Sequence, residues 1–151
     1  MVIANFLTPD KVLAKVAASD KEPLLRALCH RAAAGVGLPE DLIVREILKR
    51  EALGSTGVGG GIALPHARLA GLAKSFGLLA QLKTAIAFDA VDGRPVDIVF
   101  LLLMPADREE ESRNALASVA RKLREPAVVD GIRKGRDETA IYGAVAGGLE
   151  R

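Results

Sequence analysis

The stretch from Leu53 to Leu69, LGSTGVGGGIALPHARL, puts one of only two histidines of the chain directly behind a glycine-rich loop, a short apolar run and a proline. Gly54 ends whatever helix precedes it, because glycine is the least favourable ordinary residue inside a helix. Ile62-Ala63-Leu64 reads as a short strand cut off by Pro65, which has no N–H for a ladder and belongs at a strand end or edge. The order is therefore helix, loop, strand, with His66 expected just past the strand's end.

Upstream, Ser19-Asp20-Lys21-Glu22 has the form of a capping box, and Leu24, Leu25, Leu28 and Ala32 recur at helical spacing until Gly35 and Gly37. Pro39 can open a second helix at its first turn, with Leu42, Ile43 and Ile47 facing inward and an end near Leu53. Downstream, Phe76 to Leu82 and Asp97 to Met104 are apolar nearly throughout, which predicts strands buried on both faces. Asp92-Gly93 marks a tight turn before the second of them. Leu116, Val119, Ala120 and Leu123 form a helical stripe, capped by Asp107 with Glu110 and broken by Pro126. Asp137 to Val145 reads as a last helix, and Ala146 to Arg151 is expected to fray. The fold class is α/β: a single domain over residues 1–151, its ordered core about 5–145, with a central mixed sheet covered by helices on both faces.

Composition narrows the function. With 151 residues, half of them apolar, the chain can bury one core. Lys plus Arg number 21 against 19 Asp plus Glu, aromatics are 3 % and Trp is absent. Neither a basic field for nucleic acid nor a base-stacking platform nor an aromatic membrane belt is present. The start, MVIANFLTPDKV, lacks a basic region followed by an apolar one, and no run is long enough to span a bilayer, so a cytoplasmic protein with no membrane insertion is expected. Cys29 is the only cysteine and sits at an apolar helix position, which reads as core packing. Two separated histidines, His30 and His66, without a carboxylate cluster predict no metal, and nothing calls for a cofactor.

The glycine loop fails both nucleotide tests. A P-loop needs lysine and then a hydroxyl residue after its last glycine, but Gly61 is followed by Ile62-Ala63. The dinucleotide fingerprint needs glycine at position 62 and a loop between strand and helix. A flexible connector whose glycines allow positive φ remains possible. So does a site: an imidazole held by a proline at a sheet edge is neutral and nucleophilic near neutral pH, its ordinary pKa being about 6.5. Amides of Gly57, Gly59, Gly60 and Gly61, with the Ser55 and Thr56 hydroxyls, could donate to an anion carried on that ring. No G-x-S-x-G elbow accompanies them, so Ser55 and Thr56 do not read as hydrolytic nucleophiles. The residues by themselves leave His66 open between a functional imidazole and a packed or merely exposed one.

REALGSTGVGGGIALPHARL, residues 50–69, resembles the phosphorylation-site segment of the enzyme IIA domains of the bacterial phosphoenolpyruvate phosphotransferase system, fructose/mannitol type, and most closely their free-standing nitrogen-regulatory members. The resemblance continues through FDAVDGRPVDIVFLLLMPAD and LASVARKLREP. It implies a phosphocarrier rather than a turnover enzyme. His66 would accept a phosphoryl group from the histidine-phosphorylated carrier HPr or its nitrogen-branch counterpart, and Arg50 would lie near the phosphohistidine. The implied partners are that carrier and downstream regulated proteins, with potassium transport and nitrogen or carbon metabolism as outputs seen in the family. A guanidinium suits phosphoryl oxygens, although Glu46, four residues earlier, could claim Arg50 for a helix-surface pair. Two departures stand out. Ala67 replaces the glycine common after the histidine, and Ser112, flanked by Arg113, stands where many relatives carry a second histidine. A serine can donate a hydrogen bond but cannot exchange protons near neutral pH. Two alternatives follow: a regulatory binding module with impaired transfer, or a fructose- or mannitol-specific IIA component.

Overall fold

The computed structural model describes residues 3–147. The chain passes through two 3-10 turns, Ile3–Asn5 and Pro9–Lys11, into strand β1 (Val12–Val16), then helices α1 (Lys21–Val36) and α2 (Glu40–Ala52). Three short strands follow, β2 (Gly57–Gly59), β3 (Ile62–Ala63) and β4 (His66–Leu69), and then two long ones, β5 (Phe76–Ile86) and β6 (Val96–Pro105). Helices α3 (Glu109–Lys122), α4 (Pro126–Lys134) and α5 (Glu138–Ala146) close the described chain, and the expectation of fraying at residues 148–151 lies outside it.

The strands form one mixed six-stranded sheet in the order β1-β5-β6-β3-β2, with β4 also against β6. β5 and β6 are antiparallel, whereas β1 runs parallel to β5, and β3 and β4 run parallel to β6. Side chains of β6 alternate between two cores, as the pleat requires. Val99, Leu101 and Leu103 pack with Leu24, Leu28, Ile43 and Ile47 of α1 and α2. Ile98, Phe100, Leu102 and Met104 pack with Ala115, Val119, Ile132 and Ile141 of α3, α4 and α5. That double burial is why the strand reads as one apolar run.

Pro65 does not end its strand. Ile62 pairs with Ile98 and His66 with Leu102, so β3 and β4 keep one register along β6. A proline lacks the donor but keeps the acceptor, and the Leu102 N–H donates to the Pro65 carbonyl at 2.9 Å. His66 is therefore the first residue of a resumed strand rather than a residue past a strand's end.

The helix ends differ from their expected caps for similar reasons. Asp20, not Ser19, is the N-cap of α1, and its side chain caps nothing, because the third helical residue is Pro23 and has no N–H to give. The N-cap of α3 is Arg108 rather than Asp107, with Glu109, Glu110 and Glu111 favouring the positive end of the helix dipole. Pro39 is the N-cap of α2, and Leu42 is only half-buried. Pro126 does not merely stop a helix: it opens α4, where a missing N–H costs nothing. Asp137 caps α5 by accepting the Ala140 N–H at 2.8 Å.

One buried polar side chain fastens three elements. Gln81, 7 % exposed within β5, accepts the Lys15 N–H at 3.0 Å and donates to the carbonyls of Ile132 and Gly135, both at 2.8 Å. Lys15 has φ +53 where β1 shifts register, a left-handed backbone that lysine adopts at a cost of about 1–3 kcal/mol. Gln81→Leu keeps roughly the volume but takes the side-chain partner from the Lys15 N–H and the Gly135 carbonyl, and leaves the Ile132 carbonyl only the Gly135 N–H at 3.4 Å. It is expected to lower unfolding free energy by about 2–4 kcal/mol in urea titrations.

Candidate functional site

The site begins at the end of α2. Arg50 donates from Nη1 to the Gly54 carbonyl at 2.8 Å, while Glu46 receives Arg45 instead, so the helix-surface pair foreseen for Arg50 does not form. Glu51 turns inward and is 9 % exposed. Its carboxylate accepts the Thr56 N–H at 3.2 Å and the Thr56 hydroxyl, and pairs with Lys21 Nζ at 2.8 Å. A buried carboxylate needs this much compensation, since its desolvation costs several kcal/mol. It ties the start of α1, the end of α2 and the entry of the glycine hairpin to one point. Glu51→Ala is expected to cost about 3 kcal/mol in chemical denaturation, because it leaves the Thr56 N–H without its partner and Lys21 with only the more distant Asp89 at 3.8 Å.

The hairpin itself uses its polar groups internally. The Ser55 hydroxyl donates to the Phe88 carbonyl at 2.7 Å and accepts the Gly57 N–H at 3.0 Å. Gly59, Gly60 and Gly61 all have φ between 68° and 102°, and a side chain at Gly61 would meet Arg133 Nη2 at 2.5 Å. The Gly60 N–H goes to Asp92 at 3.0 Å, which with the Arg94 N–H holds the Asp92 carboxyl below its ordinary range. Arg133 donates to the Gly60 carbonyl at 2.6 Å and grips Asp97 with two further bonds. The hydroxyls of Ser55 and Thr56 and the amides of Gly57 and Gly60 are thus committed within the hairpin and its supports. Gly59 and Gly60 line a separate, larger groove between the hairpin and the junction of α3 and α4.

His66, Arg50 and Ser112 come together. They line a pocket of about 280 Å³ with Arg68, Arg113, Met104 and Leu116. Period-two alternation sends Ala67 and Leu69 to the α1–α2 core and His66 and Arg68 to the opposite face, beneath α3. Arg68 and Arg113 both lean toward Glu109, at 3.9 and 3.8 Å. Arg68 was not foreseen; its signal is the two-residue spacing from His66, usable only once β4 is recognised. Ser112 is 1 % exposed and its hydroxyl donates to the Pro105 carbonyl at 2.9 Å. His30 is exposed and pairs with Glu40 at 2.6 Å, and Cys29 is buried, its thiol pushed up to about 12 mainly by desolvation.

The His66 ring is held in one tautomer. Nδ1 lies 2.8 Å from the Leu64 carbonyl, and since a carbonyl only accepts, Nδ1 carries the hydrogen. In the neutral ring the lone pair is then on Nε2. Burial lowers the pKa of His66 below 6.5, and Arg50 pushes the same way, against the opposing Leu64 bond and Glu51. Well above pH 6.5 the ring is neutral in folded and unfolded chains alike. As the pH falls through 6.5 the unfolded chain takes up its proton first, so stability is lost toward acid. An NMR titration is expected to place the His66 midpoint below 6.5, and below that of a His66 peptide from the unfolded chain.

An imidazole with its lone pair on Nε2, sharing a pocket with three arginines at the edge of a mixed sheet, has the nucleophile and the cations that binding an anion needs. Residues 5–146 match the family described as phosphoenolpyruvate-dependent sugar phosphotransferase system, EIIA 2, and the chain belongs to that family. Among its relatives, the nitrogen regulatory protein of Bradyrhizobium diazoefficiens is 40 % identical over 146 residues, covering 97 % of this chain and 95 % of that one. The nitrogen regulatory protein of Escherichia coli K12 is 34 % identical over 141 residues, covering 93 % and 86 %. In structure, the nitrogen regulatory protein IIA-Ntr of Neisseria meningitidis superposes with a TM-score of 0.89 at 25 % identity, covering 95 % of this chain and 98 % of that one. The IIA mannitol structure from Escherichia coli, at a TM-score of 0.77 and 17 % identity over 93 % and 99 %, shares the fold. Among the described residues no helix is long and apolar enough to cross a membrane.

Proposed function

We propose that this protein is a cytosolic regulatory phosphocarrier whose His66 takes a phosphoryl group from the phosphohistidine of an HPr-type carrier, or of its nitrogen-branch counterpart, and whose partners read the result. The observation that carries the reading is the bond from His66 Nδ1 to the Leu64 carbonyl, which leaves Nε2 as the free base in a pocket with Arg50. Nε2 attacks phosphorus in line as the donor's N–P bond breaks. The donor ring, protonated on its other nitrogen, leaves neutral, and His66 keeps its Nδ1 proton throughout. The work is positioning and charge stabilisation, with Arg50 neutralising the phosphoryl oxygens. The relatives named as nitrogen regulatory proteins favour a regulatory output over service to a sugar permease.

Ser112 supports a further feature of this reading. Its proton is already given to Pro105, so position 112 offers no proton exchange to a departing phosphoryl group and onward transfer from His66 is slow. The decisive experiment is intact-mass measurement after incubation with phosphoenolpyruvate, enzyme I and the HPr-type carrier. One acid-labile phosphoryl group is expected, absent from His66→Ala; a modified His66→Ala protein, or no modification by a carrier active on another IIA, refutes the proposal. Arg50→Gln is expected to slow acceptance roughly a hundredfold while leaving thermal stability nearly unchanged.

A further inference from the structure

A second charged concavity lies away from His66, where the bulge of β1 meets the end of α4. It measures about 650 Å³ and gathers five cations, Lys15, Lys83, Arg133, Lys134 and Arg136, around a single acid, Asp97. Asp97 is spent on Arg133, and Lys134 is paired with Asp130 at 2.9 Å. Lys15, Lys83 and Arg136 have no carboxylate partner among the described residues. Asp97 is separated from Leu102, the partner of His66, by about 17 Å along β6.

This gathering is built by the fold. Gln81 holds the left-handed Lys15 on one side and the Gly135 carbonyl, next to Arg136, on the other, so both cations are set by one buried side chain. Three unneutralised positive charges around one hollow repel each other, and a multiply charged anion relieves that repulsion. The hollow has the size of a small-molecule site. Its lining holds no aromatic side chain on which a base could stack. We propose that it is a binding site for a small organic phosphate carrying two or more phosphoryl groups. Arg133 gives it a route to the functional site: the guanidinium that walls the hollow also holds the Gly60 carbonyl, and an anion drawing it away loosens the hairpin that leads to His66.

Inorganic pyrophosphate is the probe, added to the full chain at constant ionic strength. Saturable amide shifts at Lys15, Lys83 and Arg136 and a raised Tm are expected, with the same affinity in His66→Ala, so that the outcome is independent of the phosphocarrier reading. Lys83→Gln and Arg136→Gln are each expected to weaken binding roughly tenfold, and the exposed Lys83→Glu/Arg136→Glu pair to abolish it. Equal shifts from sodium chloride, or undiminished binding by the Lys83→Glu/Arg136→Glu protein, would overturn the proposal. Tighter, steeply salt-dependent binding of a short duplex DNA would overturn it in favour of a nucleic-acid surface.

Discussion

The buried carboxylate of Glu51 is the constraint around which the functional end of the molecule is organised. A charge at that depth must be met by donors, and those donors come from Lys21 at the start of α1 and Thr56 at the mouth of the hairpin. Satisfying it fixes where α2 stops. That in turn sets Arg50, the preceding residue, beside His66, which the hairpin delivers ten residues after Thr56. The Leu64 N–H returns to the Thr56 carbonyl at 2.9 Å, closing the loop just before the histidine. Arg50 and His66 are brought together by backbone that is pinned on both sides, and each side chain is then fixed by one bond to a nearby carbonyl, Gly54 for Arg50 and Leu64 for His66.

The glycines of the hairpin serve geometry. Three successive positive φ values turn the chain back on itself, and Arg133 and Asp97 occupy the space a side chain at Gly61 would need. Guanidinium groups from three separate elements, Arg50 on α2, Arg68 on β4 and Arg113 on α3, line the pocket with His66, and under the proposed function they are its anion donors. Glu109 faces two of them and partly balances their charges. The charge that the proposed phosphorylation adds, about −1.5 to −2 at neutral pH, competes with that carboxylate for the arginines.

Much of this was legible in the sequence, and what was not has physical causes. α1, α2, β5 and β6 announce themselves because helical stripes and doubly buried strands need many apolar residues in register. β2 and β4 are too short to show alternation, and β1 hides because Lys15 sits in a left-handed bulge that breaks the pattern. α4 is masked by Pro126, since the same residue can end one helix and begin the next. The meeting of His66 with Arg50 was implied by the family resemblance, whereas the fate of the loop donors was not legible: Ser55 and Gly60 find partners far along the chain in Phe88 and Asp92, and Thr56 and Gly57 turn back to Glu51 and Ser55.

Phosphohistidine exists as two positional isomers that differ in which ring nitrogen bears phosphorus. An imidazole free to turn over would yield a mixture. Because the Leu64 carbonyl lies in the two-residue link between β3 and β4, which keep one register along β6, the ring's orientation is set by backbone held at both ends by that ladder. Under the proposed function, regioselectivity is thus a property of strand register, and a slip in that register would change the chemical identity of the product as well as the shape of the sheet.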